Sequence, residues 1–133
     1  MNSICNWIKV IFTVIGGSLG FFLGGWDGFL YALTAFVIVD YITGVMLAIL
    51  EKKVSSDVGA RGIFKKVLIF TLVGVGHILD TYILGEGGVI RTAVIFFYLS
   101  NEGISILENT AKIGLPIPEK LKEVLVQLKD EKK

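Results

Sequence analysis

The stretch of sequence that decides the fold lies between residues 29 and 50 and reads FLYALTAFVIVDYITGVMLAIL. It carries one charged residue, Asp40, and it is longer than the about 20 apolar residues that an α-helix needs to cross a bilayer. Further apolar blocks lie on both sides, so that the chain of 133 residues is 53% hydrophobic and 19% charged. This pattern excludes a water-soluble globule and a disordered chain, and it predicts a small integral membrane protein.

The apolar blocks predict an all-α fold of helical hairpins with four transmembrane helices. The predicted spans cover residues of about 4–23, 29–50, 67–84 and 89–108, with a cytoplasmic loop at 51–66. The first block lacks the small-residue cleavage site of a signal peptide, so we interpret it as a span. Residues 1–113 then form one transmembrane domain, and residues 114–133 form a tail.

The tail differs in character from the spans. Pro116 and Pro118 end the fourth span, because proline lacks a backbone donor and disfavours helix in the residue before it. Apolar residues then recur at intervals of three to four, which predicts a short amphipathic helix. These residues are Leu121, Val124, Leu125 and Leu128.

Basic residues in the connections predict the orientation. The loop at 51–66 and the tail are rich in lysine, whereas the turns at 24–28 and 85–88 contain no basic residue. Because short loops rich in Lys and Arg stay in the cytoplasm, both termini are predicted to be cytoplasmic. The net charge of +1 gives no reason to expect a nucleic acid partner.

Several ionisable residues lie inside the predicted spans, where each needs a partner or water. Asp40 and His77 fall at a similar depth, which predicts a hydrogen bond between them, with a proton relay as the sharper alternative. Asp80 and Arg91 flank the turn at 85–88, which predicts a partly solvated ion pair across that hairpin.

The fourth span carries a polar seam, because its polar residues recur at helical spacing. This seam either faces other helices of the same monomer, or meets neighbouring copies and water in an assembly. A monomer with four short spans is expected to have difficulty hiding every polar group, which favours assembly. The seam consists of Arg91, Tyr98, Asn101, Glu102, Ser105 and Glu108.

Glycines spaced by four residues predict close helix packing. Gly16, Gly20, Gly24 and Gly28 form consecutive small-xxx-small steps, and Gly44 begins a further step in the second span. The run serves either self-association or packing within the monomer, and the sequence leaves both open.

No constellation for enzymatic chemistry is present, so the sequence predicts a protein that is not an enzyme. One histidine and one cysteine, Cys5, without an HExxH or CxxC motif, predict no metal site, no cofactor and no catalytic residue. The GARG stretch at 59–62 lies in the predicted loop and is interpreted as a turn.

Four segments resemble the small phage holins of the toxin secretion and phage lysis type. They are DYITG at 40–44, SDVGARG at 56–62 followed by FKK at 64–66, the span with Arg91, FYLSNE at 97–102, Ser105 and EN at 108–109, and GLPIP at 114–118 before Leu121. The first span matches that family only in being apolar.

The resemblance implies a multi-pass protein of the bacterial cytoplasmic membrane that oligomerises into lesions late in phage infection. Such lesions release an endolysin, or in some relatives a toxin, as cargo without a necessary direct contact. In that setting the seam would be shielded before triggering and would line the lesion afterwards. Asp40 and His77 would set the timing by responding to loss of the membrane potential.

Two other classes of function remain open from the sequence. One is a small ion channel or proton-coupled transporter that uses Asp40, His77 and Glu102. The other is a non-conducting membrane scaffold that recruits a soluble partner through the tail. The partners expected in the holin interpretation are further copies of the chain and the lipid bilayer.

Overall fold

The computed structural model describes residues 2–85 and 87–131, with side chains as far as Gln127. Within these residues every regular element is helical, and four helices are long and apolar enough to cross a membrane. The all-α prediction with a short fifth helix is therefore confirmed. The helices are α1 (Asn2–Leu23), α2 (Gly28–Leu50), α3 (Ser56–Ile78), which continues as a π-helix (Leu79–Leu84), α4 (Val89–Ile113) and α5 (Glu119–Glu131).

Side-chain caps and glycines fix the ends of these helices. Asp27 begins α2, because its Oδ1 accepts a hydrogen bond of 2.9 Å from the Leu30 backbone N–H. Gly24 and Gly25, in the turn between α1 and α2, have φ values of +91° and +102°, which glycine adopts without steric cost. Gly114 has a φ of +121° and ends α4 just before the prolines of the tail.

The third helix begins earlier than the sequence indicated. The Ser55 side chain accepts a bond from the Val58 backbone N–H, and Asp57 lies in the first turn, where a negative charge favours helix. α3 therefore starts about three turns before the predicted span at 67–84. The interpretation of 59–62 as a turn was wrong, and most of the predicted loop at 51–66 is helical.

The fourth helix is the centre of the bundle, since it packs against α2, α3 and α5. The core between α2, α3 and α4 consists of buried leucine, isoleucine and valine side chains of these helices, and Leu23 of α1 also belongs to it. Its most buried members are Leu30, Leu33, Val73 and Ile95.

The first helix is attached to the bundle near its C-terminal end. Gly20 and Leu23 are its buried residues, and Phe22 lies against Gly74 of α3. The residues from Asn2 to Thr13 are all exposed in the structure. α1 therefore contacts the rest of the bundle only through its C-terminal part, among the residues that the structure describes.

The predicted amphipathic helix of the tail corresponds to α5, which folds back along α4. Leu125 is buried over Gly103, where an added Cβ would lie 2.9 Å from a Leu125 methyl carbon. Leu121 and Val124 are exposed, and the Leu128 side chain lies outside the described residues. Only part of the predicted apolar face is covered in the monomer.

Candidate functional site

Three charged side chains from three helices meet in the interior of the bundle. Lys66 of α3 places its Nζ 2.7 Å from Asp40 Oδ2 of α2 and 2.7 Å from Glu102 Oε1 of α4. The exposed fractions of these side chains are 17% for Lys66, 9% for Asp40 and 10% for Glu102. We call these three residues the ion cluster. Because each of its members lies on a different helix, the cluster joins α2, α3 and α4 to one another at one depth in the bundle.

An amide from α4 supports the ion cluster from the side of the connection between α2 and α3. Asn109 Nδ2 donates to Asp40 Oδ1 at 3.2 Å and to Thr43 Oγ1 at 3.0 Å. Gly44 lies beside this contact, and an added Cβ would be at an ordinary van der Waals distance of 3.7 Å from Asn109 Nδ2. Asp40 is therefore held by partners on two other helices.

A cleft of about 720 Å³ leads to the ion cluster. Asp40, Lys66 and Asn109 line one part of it, and residues 53–55 of the connection between α2 and α3, with Ser56 at the start of α3, line another. The walls between them include apolar side chains such as Val45 and Ile63. A volume of this size accommodates many water molecules, so the cluster is reachable from the end of the bundle that carries the α2–α3 connection.

A second buried charge lies at the opposite end of the bundle. Arg91 of α4 is 6% exposed, and its guanidinium donates to the carbonyl oxygens of Leu23 and Gly25 and to Asp27 Oδ2, at 2.5, 2.9 and 2.8 Å. Because Asp27 also caps α2, Arg91 fixes the turn between α1 and α2 to the start of α4.

The contact between Arg91 and Asp27 depends on pH, because the Asp27 carboxyl group must be ionised to pair with the guanidinium. The hydrogen bond from the Arg91 guanidinium holds the pKa of the Asp27 carboxyl below its ordinary value, against the opposing effect of burial. Asp27 keeps a side-chain exposure of 45%, so solvent screens the pair and its energetic contribution is small.

Asp80 performs a different role from the predicted ion pair with Arg91. It is 1% exposed, and its two carboxylate oxygens accept bonds of 2.9 Å from the backbone N–H groups of Ile90 and Arg91. These N–H groups lie in the first turn of α4, where the helix has no internal acceptors for them. The prediction of a partly solvated ion pair was wrong, because Asp80 binds the backbone while the Arg91 side chain binds Asp27.

The predicted bond between Asp40 and His77 is also wrong. Asp40 binds Lys66 and Asn109, whereas His77 Nδ1 lies 3.4 Å from Thr81 Oγ1 and close to Gly24. His77 thus belongs to the end of the bundle that contains Arg91. Asp40 and His77 were predicted to lie at the same depth in the membrane. In the structure the α3 residue that contacts Asp40 is Lys66, and His77 lies further along α3, at the other end of the bundle.

The polar seam of α4 is divided between the interior and the surface of the monomer. Arg91 and Glu102 are buried, Tyr98, Asn101 and Ser105 are partly buried, and Glu108 is exposed. Among the described residues, no buried side-chain nitrogen or oxygen lacks a hydrogen-bond partner. The expectation that a monomer has difficulty hiding these groups was therefore wrong for the most buried ones.

The glycine run does not form one helix face. Gly24 lies in the turn after α1 and Gly28 begins α2, so only Gly16 and Gly20 belong to α1. Trp26 folds back onto these two residues, and its Nε1 donates to the Gly16 carbonyl oxygen at 3.2 Å. Within the monomer this pair accommodates an indole ring, and self-association through it stays a prediction.

Lys66 and Asp27 were not predicted as functional residues from the sequence, whereas Asn109 lies in the EN segment at 108–109 that resembles the phage holins. Lys66 was counted among the loop lysines, although Ser55 and Asp57 give a helix-start signal that would have placed it inside a helix. The pairing of Arg91 with Asp27 carried no comparable signal, because it depends on how α1 and α2 return to α4.

Comparison with known proteins identifies the family. The bacteriophage holin family matches residues 17–130 of the chain. A 14.9 kDa protein encoded in the nagH 3′ region of Clostridium perfringens is 42% identical over 132 residues, which cover 99% of this chain and 100% of the relative. A protein of Halalkalibacterium halodurans is 37% identical over 138 residues, with 100% of both chains covered.

A relative from a phage carries a functional name. The probable holin of Bacillus phage phi105 is 43% identical over 81 residues, which cover 61% of this chain and 59% of the relative. No solved structure matches the chain. The resemblance to phage holins is thus confirmed, and together with the four apolar helices it makes the chain a multi-pass membrane protein. The chain belongs to the bacteriophage holin family.

Proposed function

We propose that this protein acts as a holin, which oligomerises in the bacterial cytoplasmic membrane and forms lesions that trigger lysis. The lesions release a phage endolysin, or a toxin, as cargo that needs no direct contact with the protein. Membership of the holin family and the likeness to the probable holin of phage phi105 support this proposal.

The observation that carries the proposal is the ion cluster on the inner faces of three membrane-length helices. Charged groups are costly in hydrocarbon, so α2, α3 and α4 cannot separate into lipid with Asp40, Lys66 and Glu102 exposed. They can separate where water covers those faces, as it does at the edge of an aqueous lesion. Helices with this pattern therefore have two favourable arrangements, a packed monomer and a water-lined assembly.

In the proposed assembly the polar seam of α4 lines the lesion. Its buried members, Arg91 and Glu102, exchange their partners inside the monomer for water, while its exposed apolar side chains, such as Phe97, remain in lipid. The orientation proposed for this state has both termini in the cytoplasm, as the lysine-rich connections predict.

The test is inducible expression in a bacterium that contains a cytoplasmic reporter enzyme. We expect abrupt release of the reporter into the medium after a delay. Ion flux without reporter release would instead support a channel, and neither event would support a scaffold. Either of those two results would overturn the holin proposal.

Substitutions in α4 test the lining role. The double variant Asn101→Leu, Glu102→Leu removes two polar groups of the seam and is expected to delay or abolish reporter release. Phe97→Leu is the matched control, because Phe97 is an exposed apolar residue of the same helix. Unchanged release by the double variant at equal membrane levels would contradict the lining role.

A channel is the second candidate, and the cleft favours it. The cleft connects the ion cluster to one end of the bundle, as half of an ion pathway would. In the reporter assay a channel gives depolarisation while the enzyme stays inside the cell, so the same experiment separates the two functions.

A further inference from the structure

The ion cluster contains more negative than positive charges. Two carboxylates, Asp40 and Glu102, share the single ammonium group of Lys66, so that the cluster carries one excess negative charge when all three groups are ionised. The two carboxylate oxygens lie within 2.7 Å of the same nitrogen and are therefore close to each other. Like charges at such a separation in a poorly solvated interior repel strongly.

Among the described residues, Lys66 is the one cation that forms an ion pair with Asp40 or Glu102. The titratable or charged groups that face the cluster and its cleft are Asp40 and Tyr41 of α2, Lys53 of the connection, Lys66 of α3 and Glu102 of α4. Lys53 lines the part of the cleft formed by the connection and has no ion pair with either carboxylate among those the structure describes, and the Tyr41 hydroxyl lies 3.5 Å from the Gly59 carbonyl oxygen. Asn109 is neutral and donates to Asp40.

The two carboxylates are not equivalent. Both oxygens of Asp40 accept hydrogen bonds, Oδ2 from Lys66 and Oδ1 from Asn109, whereas Glu102 accepts its bond from Lys66 through Oε1. A single added proton is therefore best placed on Glu102. The cleft offers a route for the proton, because it extends from the α2–α3 connection to Asp40 and Lys66, and Lys66 contacts Glu102.

We propose that the ion cluster is a pH-sensitive latch, which takes up one proton on the Glu102 carboxylate and then holds α2, α3 and α4 in the packed monomer. In this step an O–H bond of a hydronium ion that enters through the cleft breaks and an O–H bond forms on a Glu102 oxygen, so that water is left and the cluster becomes neutral. The reverse step returns the proton to water and restores the excess charge. The packed monomer is therefore more stable when the proton is bound and less stable when the proton is lost.

The sign of the pH dependence follows from this scheme. The folded bundle binds a proton that exposed carboxylates of the unfolded chain have already released, so its stability falls as the pH rises. One proton changes the unfolding equilibrium constant by about tenfold per pH unit where the latch titrates. If the protein forms lesions, alkaline conditions on the side of the cleft would promote them, and this part of the inference rests on the proposed function.

The experiment measures the stability of the full chain in detergent micelles, by circular dichroism, from mildly acidic to mildly alkaline pH. We expect the wild type to lose stability as the pH rises, with the slope of one proton. Glu102→Gln removes the titrating group and the excess charge together, so its stability should be independent of pH over this range. Glu108→Gln, an exposed residue of the same helix, should retain the wild-type slope.

Two further measurements guard against a variant that fails to fold. Asp40→Asn also makes the cluster neutral, and it should flatten the pH dependence in the same way as Glu102→Gln. Infrared spectroscopy of the wild type should show a protonated carboxyl band at mildly acidic pH that disappears as the pH rises. A wild-type slope in both variants, or the absence of that band throughout, would overturn the latch. Failure of reporter release would refute the holin function while leaving these stability results unaffected.

Discussion

Lys66 is the residue on which the interior of the bundle depends most. Its ammonium group is the shared partner of two carboxylates that lie on different helices. A lysine so close to the predicted membrane boundary is usually expected to extend towards water. Here its side chain extends inward instead, because Asp40 and Glu102 offer it stronger partners than the interface does.

Replacing Lys66 with methionine should therefore be severely destabilising. The variant leaves two buried carboxylates without their cation, and the free energy of unfolding should fall by about 3 to 5 kcal/mol. Lys65→Met is the matched control, because the neighbouring Lys65 is exposed, and its effect should stay within about 0.5 kcal/mol. Equilibrium unfolding in detergent measures both values, and similar losses in the two variants would contradict the role of Lys66.

Asp27 gives a second prediction at the residue scale, in acid. Since Arg91 lowers the pKa of the Asp27 carboxyl, the ionised contact contributes stability above the ordinary Asp pKa and is lost as the pH falls through the lowered value. Asp27→Asn removes the charge but retains a side chain that caps helices well. The thermal stability of the wild type should exceed that of Asp27→Asn near neutral pH, and the difference should vanish in strong acid. A difference independent of pH would exclude the ionic contact.

Individual residues were the least predictable level of this protein. The sequence identified Asp40, Asp80, Arg91 and Glu102 as groups that need partners, because charges inside apolar blocks stand out. Their partners could not be assigned, since each lies on another helix and depends on rotation and depth. Glu102 and Lys66 are separated by 36 positions in the sequence, so no local pattern connects them.

At the scale of the elements, the close approach of α3 and α4 organises the end of the bundle opposite the cleft. Gly76 of α3 lies against the backbone of Arg91, and an added Cβ would be 3.1 Å from the Arg91 Cα. The π-helix after α3 widens the backbone just where Asp80 reaches the first turn of α4. The start of α4 is thus held by contacts with the backbone, which side-chain motions cannot easily relieve.

Gly76→Ala should separate these two helices. Because the neighbouring atoms belong to the backbone, the added methyl group should lower the free energy of unfolding by about 1 to 3 kcal/mol. Gly17→Ala serves as the control, since nothing lies within 4 Å of a Cβ at that position. Equal stability of the Gly76→Ala variant and the wild type would show that α3 and α4 are not in close contact there.

The existence of the helices was easier to predict than their limits. Long apolar blocks predicted all four membrane-length helices, because hydrocarbon length sets a minimum that few other structures satisfy. The predicted start of α3 was wrong because hydropathy marks where the chain enters the membrane. It carries no information about a helix that begins outside the membrane. Capping residues such as Ser55 carry that information instead.

At the scale of the whole molecule, the orientation is open to a direct test. In a Cys5→Ser background, a thiol reagent that cannot cross membranes should label Gly87→Cys in intact cells. It should label Glu51→Cys only after the membrane is permeabilised, because the lysine-rich connection is predicted to be cytoplasmic. The exposed Cys5 of the wild type should behave like Glu51→Cys. The opposite labelling pattern would invert the proposed topology.

The attachment of α1 at one end has a consequence for how this chain tolerates change. The residues from Asn2 to Thr13 are exposed, so the apolar side chains among them, such as Trp7 and Phe12, are constrained by partition into hydrocarbon and not by fit to a neighbour in the monomer. Neutral drift should therefore exchange one apolar residue for another here with little effect, while the positions around Leu23 stay fixed. The same freedom makes the N-terminus the natural point for a fluorescent fusion, since a tag there is far along the chain from the three-helix core.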